Sequence, residues 1–294
     1  MSQNPSTPKA WGIQLSKLWM VSGQAFPVKA DLIALEITKT KFSDPITKVY
    51  GHDISGIEGM LKKSTDGNNW YVLYDKTIES KGRINFTLSH ELGHYLLHRS
   101  QQDNFACSQA LMLDYDSPES KLREKEANIF ASYLLMPIDD YKSQINNQPV
   151  SLDLISHCAD RYDVSFTAAA LKWVEFTEET AIVVMARDDF ILWSYPSQNA
   201  RKLGIYYSKG TPLPSDSASQ LNLGSIFSNT NTLMPAGVWH PKYESVESII
   251  VSDKYEMAIF LVRFPSAHII EHEEERESDS FDFLNYKVKS FGLT

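Results

Sequence analysis

The chain has 294 residues, 43% of them hydrophobic and 22% charged, which is the composition of a globular protein large enough to bury substantial cores without disulfides. Its two cysteines, Cys107 and Cys158, exclude a disulfide scaffold and favour a reducing, cytoplasmic setting. The formal charge of -9 argues against a protein that binds mainly to nucleic-acid phosphates.

The first eighty residues predict two helices followed by a β-hairpin. Their expected ranges are helix 10–20, helix 29–40, strand 57–63 and strand 70–74. Pro27 stands near the start of the second helix, where a proline is tolerated. The Asp66-Gly67 pair between the two strands supplies the tight turn of the hairpin.

Two longer helices are expected next. Residues 84–98 (INFTLSHELGHYLLH) carry apolar side chains on more than one side, which is typical of a buried helix. Residues 121–136 have one apolar stripe and end before Pro137, because a proline disfavours the helical conformation of the residue that precedes it. The polar stretch 100–120 between them is expected to be a loop.

The second half of the chain changes from helix to strand. Two short helices, 152–162 and 166–176, flank a turn at 163–165. Beyond residue 178, the segments TAIVVMA, FILWSY, ESIIVSD and YEMAIFLVRF have the apolar runs of β-strands. We therefore expect three units, with the boundaries 1–146, 147–177 and 178–294, and an α+β fold for the last.

The motif HELGH, residues 90–94, falls inside the first of the two longer helices. Residues four apart lie one turn apart on one helix face, so His90 and His94 can bind one Zn²⁺ ion. Glu91 then lies beside the metal as the general base for its water molecule. Gly93 leaves room beside this helix. A bare HExxH pattern is common by chance, so the predicted helix and its apolar surroundings are what favour a metal site.

A catalytic zinc ion usually has three protein ligands and one open position. The helix 121–136 offers Glu124 and Glu126, which point to different faces because they are two residues apart. Glu124 shares a face with Asn128, whose amide can orient a metal ligand, and we therefore favour Glu124 as the third ligand. For Glu126 the expected role is a solvated or helix-capping carboxylate.

The blocks FTLSHELGHYLLH and EKEANIFASYLLMP, about thirty residues apart, resemble the ImmA/IrrE family of bacterial metallopeptidases. The resemblance implies a zincin-like α+β metallopeptidase domain over about residues 25–145. It also implies that His90, His94 and Glu124 bind one zinc ion, with Mn²⁺ as the alternative metal, and that Glu91 is the catalytic residue.

The same resemblance implies a protein partner. Characterised members act on helix-turn-helix repressors, which they cleave or inactivate to induce stress-response or mobile-element genes. Longer members carry a helix-turn-helix-like segment and a GAF-like sensor domain after the peptidase. By position, residues 147–177 and 178–294 correspond to these parts, so we expect a C-terminal GAF/PAS-like domain with an unknown small ligand.

Three residues near the motif are candidates for a donor that stabilises the transition state: Tyr95, His98 and Tyr133. Nothing in the sequence chooses among them. The ordinary interpretation makes Tyr95 and Tyr133 core aromatics and His98 a cation at a helix C-terminus. Cys107 has two interpretations, a redox-sensitive thiolate that reaches the open metal position or an inert half-buried thiol.

The charge distribution bears on partners. The helical pair 152–176 carries only Arg161 and Lys172 against four acidic residues, so we expect it to pack or dock rather than to read DNA. The run 271–279 holds six acids and one base. It is either a solvated linker or a docking surface for a basic repressor. We expect neither a membrane span nor a targeting segment.

The sequence is compatible with three functions. The first is a zinc-dependent endopeptidase that cleaves a repressor. The second is a non-proteolytic regulator that uses the same fold to sequester a repressor, although the intact HExxH motif argues against it. The third is a DNA-binding transcription factor with a vestigial peptidase domain.

Overall fold

The computed structural model describes residues 4–54, 56–107, 118–146, 148–217, 228–252 and 257–267, with backbone alone at 107, 228–230 and 252. The acidic run 271–279 and the side chain of Cys107 lie outside the described residues, so the docking and latch hypotheses stay predictions. Within these ranges the chain has an α+β fold, and no helix there is long and apolar enough to cross a membrane.

The N-terminal half combines four helices with a mixed four-stranded sheet. In chain order its elements are α1 (Pro8–Val21), α2 (Ala30–Lys41), β1 (Ile46–His52), β2 (Gly59–Lys63), β3 (Trp70–Asp75), α3 (Lys81–His98), β4 (Asn104–Cys107) and α4 (Pro118–Leu135). The sheet order is β1-β3-β2-β4, with β1 parallel to β3 and the other pairs antiparallel. This order places β4 at one edge of the sheet.

Helix α3 is the central element of this half. Ser80 caps its first turn by accepting a hydrogen bond from the backbone N–H of Arg83. The buried Asn85 side chain ties α3 to the start of α2 through Val28 O and Ala30 N. Most of the last three turns of α3 is buried, which agrees with apolar residues on more than one side.

Helices α3 and α4 approach each other closely at Gly93. A Cβ atom at this position would lie 3.0 Å from Phe130 Cδ1 and 3.1 Å from Ala127 Cα. The glycine therefore makes room for α4 itself, and this close approach brings residues of the two helices within reach of each other.

Three further helices lead to the second sheet: α5 (Ile138–Ile145), α6 (Leu152–Tyr162) and α7 (Phe166–Phe176). Ser151 and Ser165 cap α6 and α7, and Asp163 adopts a left-handed conformation with φ of 51° at the end of α6. The predicted helical pair and its turn at 163–165 are thus present.

The C-terminal half contains a five-stranded antiparallel sheet of order β6-β5-β9-β8-β7. Its elements are β5 (Ala181–Arg187), β6 (Phe190–Pro196), α8 (Gln198–Lys202), β7 (Ser228–Met234), β8 (Ser245–Ser252) and β9 (Met257–Arg263). One face shares a core with α5, α6 and α7, for example through Trp173 and Val183. Side chains on both sides of the expected boundaries share this core, so those boundaries stay predictions.

Several elements differ from the sequence-based expectation. Residues 104–107 form β4 within the stretch expected to be a loop, and β1, α5 and β7 were not foreseen. The strand β1 is exposed at most of its positions, so it lacks an alternating apolar pattern. Helix α5 has eight residues and buries only Tyr141 among them. Short elements with little buried surface leave weak periodicity in the sequence.

Candidate metal centre

The two motif histidines and Glu124 lie together between α3 and α4. His90 Nε2 and His94 Nε2 are 3.0 Å apart. Glu124 places one oxygen 3.1 Å from His90 Nε2 and the other 3.3 Å from His94 Nε2. One ligand atom from each residue lies within 4.8 Å of the others. The three residues that the sequence argument selected as ligands are therefore brought to one point.

The donor set suits a divalent cation. His90 Nδ1 lies 2.9 Å from Asn128 Oδ1, which can only accept a hydrogen bond. The proton of His90 therefore sits on Nδ1, and Nε2 carries the lone pair that a metal requires. Two imidazole nitrogens and one carboxylate in a buried site are a common ligand set of catalytic zinc. Asn128 occupies the orienting position expected for it beside Glu124.

Burial and the histidines set the charge of this cluster. Burial lowers the pKa of His94 to about 4. Burial alone would raise the pKa of Glu124, but its contacts with His90 and His94 outweigh burial and lower the pKa below its usual range. For His90 burial lowers the pKa, but the contacts with Glu124 and Asn128 and the charge of Glu91 together outweigh burial and raise it. Glu124 is thus a carboxylate, as a cation ligand must be.

Glu91 is fully buried next to His90 on α3. Strand β2 passes directly over it, because a Cβ atom at Gly59 would lie 2.7 Å from Glu91 Oε1 and 2.4 Å from Thr87 Cγ2. A larger residue at position 59 would force Thr87 or Glu91 to shift, so the glycine lets the strand lie close to the carboxylate. Sequence reasoning missed this role. The signal was available, since Gly59 lies inside the predicted strand 57–63, and a glycine inside a strand often marks a close backbone approach.

His98 and Glu126 extend the cluster, and the sequence analysis, which named both residues, did not foresee their contact. His98 Nδ1 lies 3.1 Å from His94 Nδ1, and His98 Nε2 lies 2.9 Å from Glu126 Oε2. His98 is buried, and burial lowers its pKa. The expectation of a cation at the helix end is therefore wrong, and Glu126 is a partly exposed carboxylate that accepts a hydrogen bond from His98. The available signal was the spacing of His90, His94 and His98, four residues apart.

The two candidate tyrosines are core residues, as expected. Tyr95 is fully buried, and its hydroxyl donates a hydrogen bond to Asp44 O. Tyr133 is buried as well, and its hydroxyl donates to Glu175. Each hydroxyl thus already has an acceptor away from the histidine cluster.

The two basic residues of the helical pair 152–176 form internal ion pairs. Arg161 contacts Asp140 with two hydrogen bonds of 2.8 Å. Lys172 is buried and lies 3.3 Å from Glu175 Oε2. A helix that binds DNA presents its basic side chains to the phosphates. Because Arg161 and Lys172 pair with acidic residues of this chain, direct DNA binding is disfavoured.

The geometry agrees with the comparison to known families. Residues 46–174 match the family Peptidase_M78, described as the IrrE N-terminal-like domain. The ImmA/IrrE resemblance expected from the two sequence blocks is thereby confirmed, and with it a metallopeptidase family that implies a metal ion. The match runs from β1 into α7, further toward the C-terminus than the expected range of about 25–145.

Similarity to solved structures extends over more of the chain. A transcriptional regulator from Mycobacterium tuberculosis aligns with a TM-score of 0.51 over 87% of this chain and 76% of that one, at 13% sequence identity. At this identity the likeness concerns the fold alone. No curated protein matches the chain.

Proposed function

We propose that this protein is a zinc-dependent endopeptidase that cleaves a helix-turn-helix transcriptional repressor. The observation that carries the proposal is the convergence of His90, His94 and Glu124 on one buried point, with Glu91 beside it. Two imidazoles, a carboxylate and an adjacent buried glutamate on an HExxH helix are the parts that metal-assisted peptide hydrolysis needs.

His90, His94 and Glu124 would hold one Zn²⁺ ion, with Mn²⁺ as the alternative. When bound, the ion supplies Lewis acidity that favours attack of water on a peptide carbonyl. The chain contributes three ligands, a number that leaves one coordination position for water or substrate.

Glu91 handles the proton in this proposal. Its carboxylate accepts a proton from the attacking water and later gives it to the leaving amine, so the residue returns to its starting state. The close approach of Gly59 keeps the side chain from turning away. Burial beneath β2 also shields the carboxylate from bulk solvent.

Strand β4 lies beside the proposed metal ligands. Phe105 on β4 stacks on the His94 ring with 4.8 Å between the centroids.

A repressor is the substrate that the resemblance implies, and its basic DNA-binding face suits this acidic chain. Residues 147–294 hold 20 Asp and Glu against 12 Lys and Arg. Direct DNA binding is not part of the proposal, since Arg161 and Lys172 are engaged internally. We place the protein in the cytoplasm, where such a repressor acts.

The C-terminal sheet completes the proposal as a GAF/PAS-like sensor domain with an unknown small ligand. A five-stranded antiparallel sheet with helices packed on one face is compatible with that class. The helical pair between the two sheets packs into the same core as this sheet, so it could transmit a change from one to the other.

Substitution Glu91→Gln tests the function, because it keeps the metal ligands and removes the base. Incubation of zinc-loaded protein with a small helix-turn-helix repressor encoded beside it should give discrete fragments for the wild type. Glu91→Gln should lower the rate by about 100-fold or more. A chelator should abolish cleavage. If repressor activity is still lost with Glu91→Gln and no fragments form, the protein acts by sequestration instead.

A further inference from the structure

We propose that His98 and Glu126 act as positioning residues that fix His94 in its metal-binding form. The inference rests on the proposed metal site. His94, His98 and Glu126 form a continuous hydrogen-bonded chain, with 3.1 Å between the two Nδ1 atoms and 2.9 Å from His98 Nε2 to Glu126 Oε2.

The direction of this chain follows from which atoms can donate. A carboxylate only accepts, so His98 Nε2 donates to Glu126. A neutral imidazole with its proton on Nε2 has an acceptor at Nδ1. The proton between the two Nδ1 atoms then belongs to His94. His94 therefore keeps its lone pair on Nε2, the atom that lies 3.3 Å from Glu124.

Each motif histidine thus has its own partner from α4, but by a different route. Asn128 reaches His90 Nδ1 directly, at 2.9 Å. Glu126 reaches His94 only through the ring of His98. Residues 124, 126 and 128 of one helix thereby supply a ligand and the two groups that orient the other ligands. A metal-bound histidine commonly donates its second nitrogen to such a partner.

Packing restrains the imidazole rings of His94 and His98. His94 and His98 are both buried, and Phe105 lies beside them with centroid distances of 4.8 Å and 6.3 Å. The side chain of Glu126 is about one-third exposed, so substitutions there disturb the core less than substitutions at His98.

We call the hydrogen-bonded series His94, His98 and Glu126 the relay. Metal affinity, measured by chelator competition on the full-length protein, tests it without relying on activity. His98→Leu removes the acceptor for His94 and should weaken Zn²⁺ binding by about 10- to 100-fold, as loss of an orienting partner commonly does. His98→Asn should restore most of the affinity, because its amide oxygen can replace Nδ1 as acceptor. The absorption spectrum of the Co²⁺-loaded protein should shift with His98→Leu and return toward the wild-type spectrum with His98→Asn.

The partly exposed end of the relay gives a second test if His98→Leu fails to fold. Glu126→Leu should weaken Zn²⁺ binding several-fold, whereas Glu126→Gln keeps an acceptor and should change it less. Glu119→Gln, on the same helix and exposed, is the matched control and should have no effect.

The outcomes separate this inference from the proposed function. Folded His98→Leu or Glu126→Leu protein with wild-type affinity and spectrum overturns the relay, whether or not the wild type cleaves a repressor. A loss of affinity in these variants supports the relay even if no peptidase activity is found. A wild-type chain that binds neither Zn²⁺ nor Co²⁺ overturns the relay and the proposed metal site together.

Discussion

Glu124 and Glu247 are two glutamates shielded from solvent, one in each half of the chain. Their surroundings shift their pKa values in opposite directions. Burial acts in the same direction on both, since it disfavours a charged carboxylate. At Glu124 the contacts with His90 and His94 outweigh burial and lower the pKa. At Glu247 burial prevails over the hydrogen bonds from Ser217 and Trp239 and raises the pKa.

The comparison shows that burial alone does not mark a metal site. Glu247 is fully buried on β8, and one of its oxygens accepts hydrogen bonds of 2.6 Å from Ser217 and 2.5 Å from Trp239. Among the described residues Glu247 belongs to no group of three or more histidines, cysteines and carboxylates, whereas Glu124 faces two imidazoles. A cation site needs several donor atoms that converge while charged or carrying a lone pair.

The largest expected effect is the loss of Zn²⁺ affinity when the carboxylate of Glu124 is replaced by an amide. Glu124→Gln should weaken Zn²⁺ binding by more than about 100-fold. It replaces a direct ligand, and the loss of affinity should exceed the loss that follows when an orienting partner is removed. Glu247→Gln should leave Zn²⁺ affinity within about 2-fold of the wild type, since the residue only orients groups of the second sheet. Competition with a chromogenic chelator measures both. Equal affinities for the two variants would contradict the contrast.

A smaller effect, on stability and activity, is expected at Gly59, where strand β2 lies close to Glu91. Gly59→Ala places a methyl group against Thr87 and Glu91, and overpacking of this kind costs about 1–3 kcal/mol. The free energy of unfolding from urea titration should fall by that amount, and peptidase activity should fall because Glu91 is displaced.

Lys62→Ala is the control for Gly59→Ala, because Lys62 is exposed on the same strand. Its free energy of unfolding should change by less than about 0.5 kcal/mol. A Gly59→Ala protein with wild-type stability and activity would show that β2 can move away from Glu91, and that the strand does not hold the carboxylate.

The contrast between local and distant signals also explains what the sequence could reveal. His90, Glu91 and His94 stand within one helical turn or so, where spacing alone determines which side chains share a face. Choosing Glu124 over Glu126 required only the same argument applied to α4, with Asn128 as the second clue. These predictions used periodicity within single helices, which sequence shows directly.

Pairings between elements were out of reach for the same reason. His98 meets Glu126 across 28 positions, and this contact depends on how closely α3 and α4 cross at Gly93. The role of Gly59 depends on β2 lying over Glu91, which no single segment specifies. The short edge strand β4 owes its structure to pairing with β2. Such features follow from tertiary packing rather than from local pattern.

The smallest effect concerns pH and the second glutamate. The pKa of Glu247 is raised above its ordinary value of 4.5, so between these two values the folded chain keeps a proton that the unfolded chain has lost. The contribution of Glu247 to stability is therefore complete below about pH 4.5 and is lost as the pH rises through the folded pKa. Glu247→Gln resembles the protonated side chain and does not titrate. Urea titrations at a series of pH values should thus show the variant gaining stability relative to the wild type as the pH rises. A constant difference would mean that Glu247 has an ordinary pKa. A difference of the opposite sign would mean that its hydrogen bonds from Ser217 and Trp239 outweigh burial, as the contacts of Glu124 with the two histidines do.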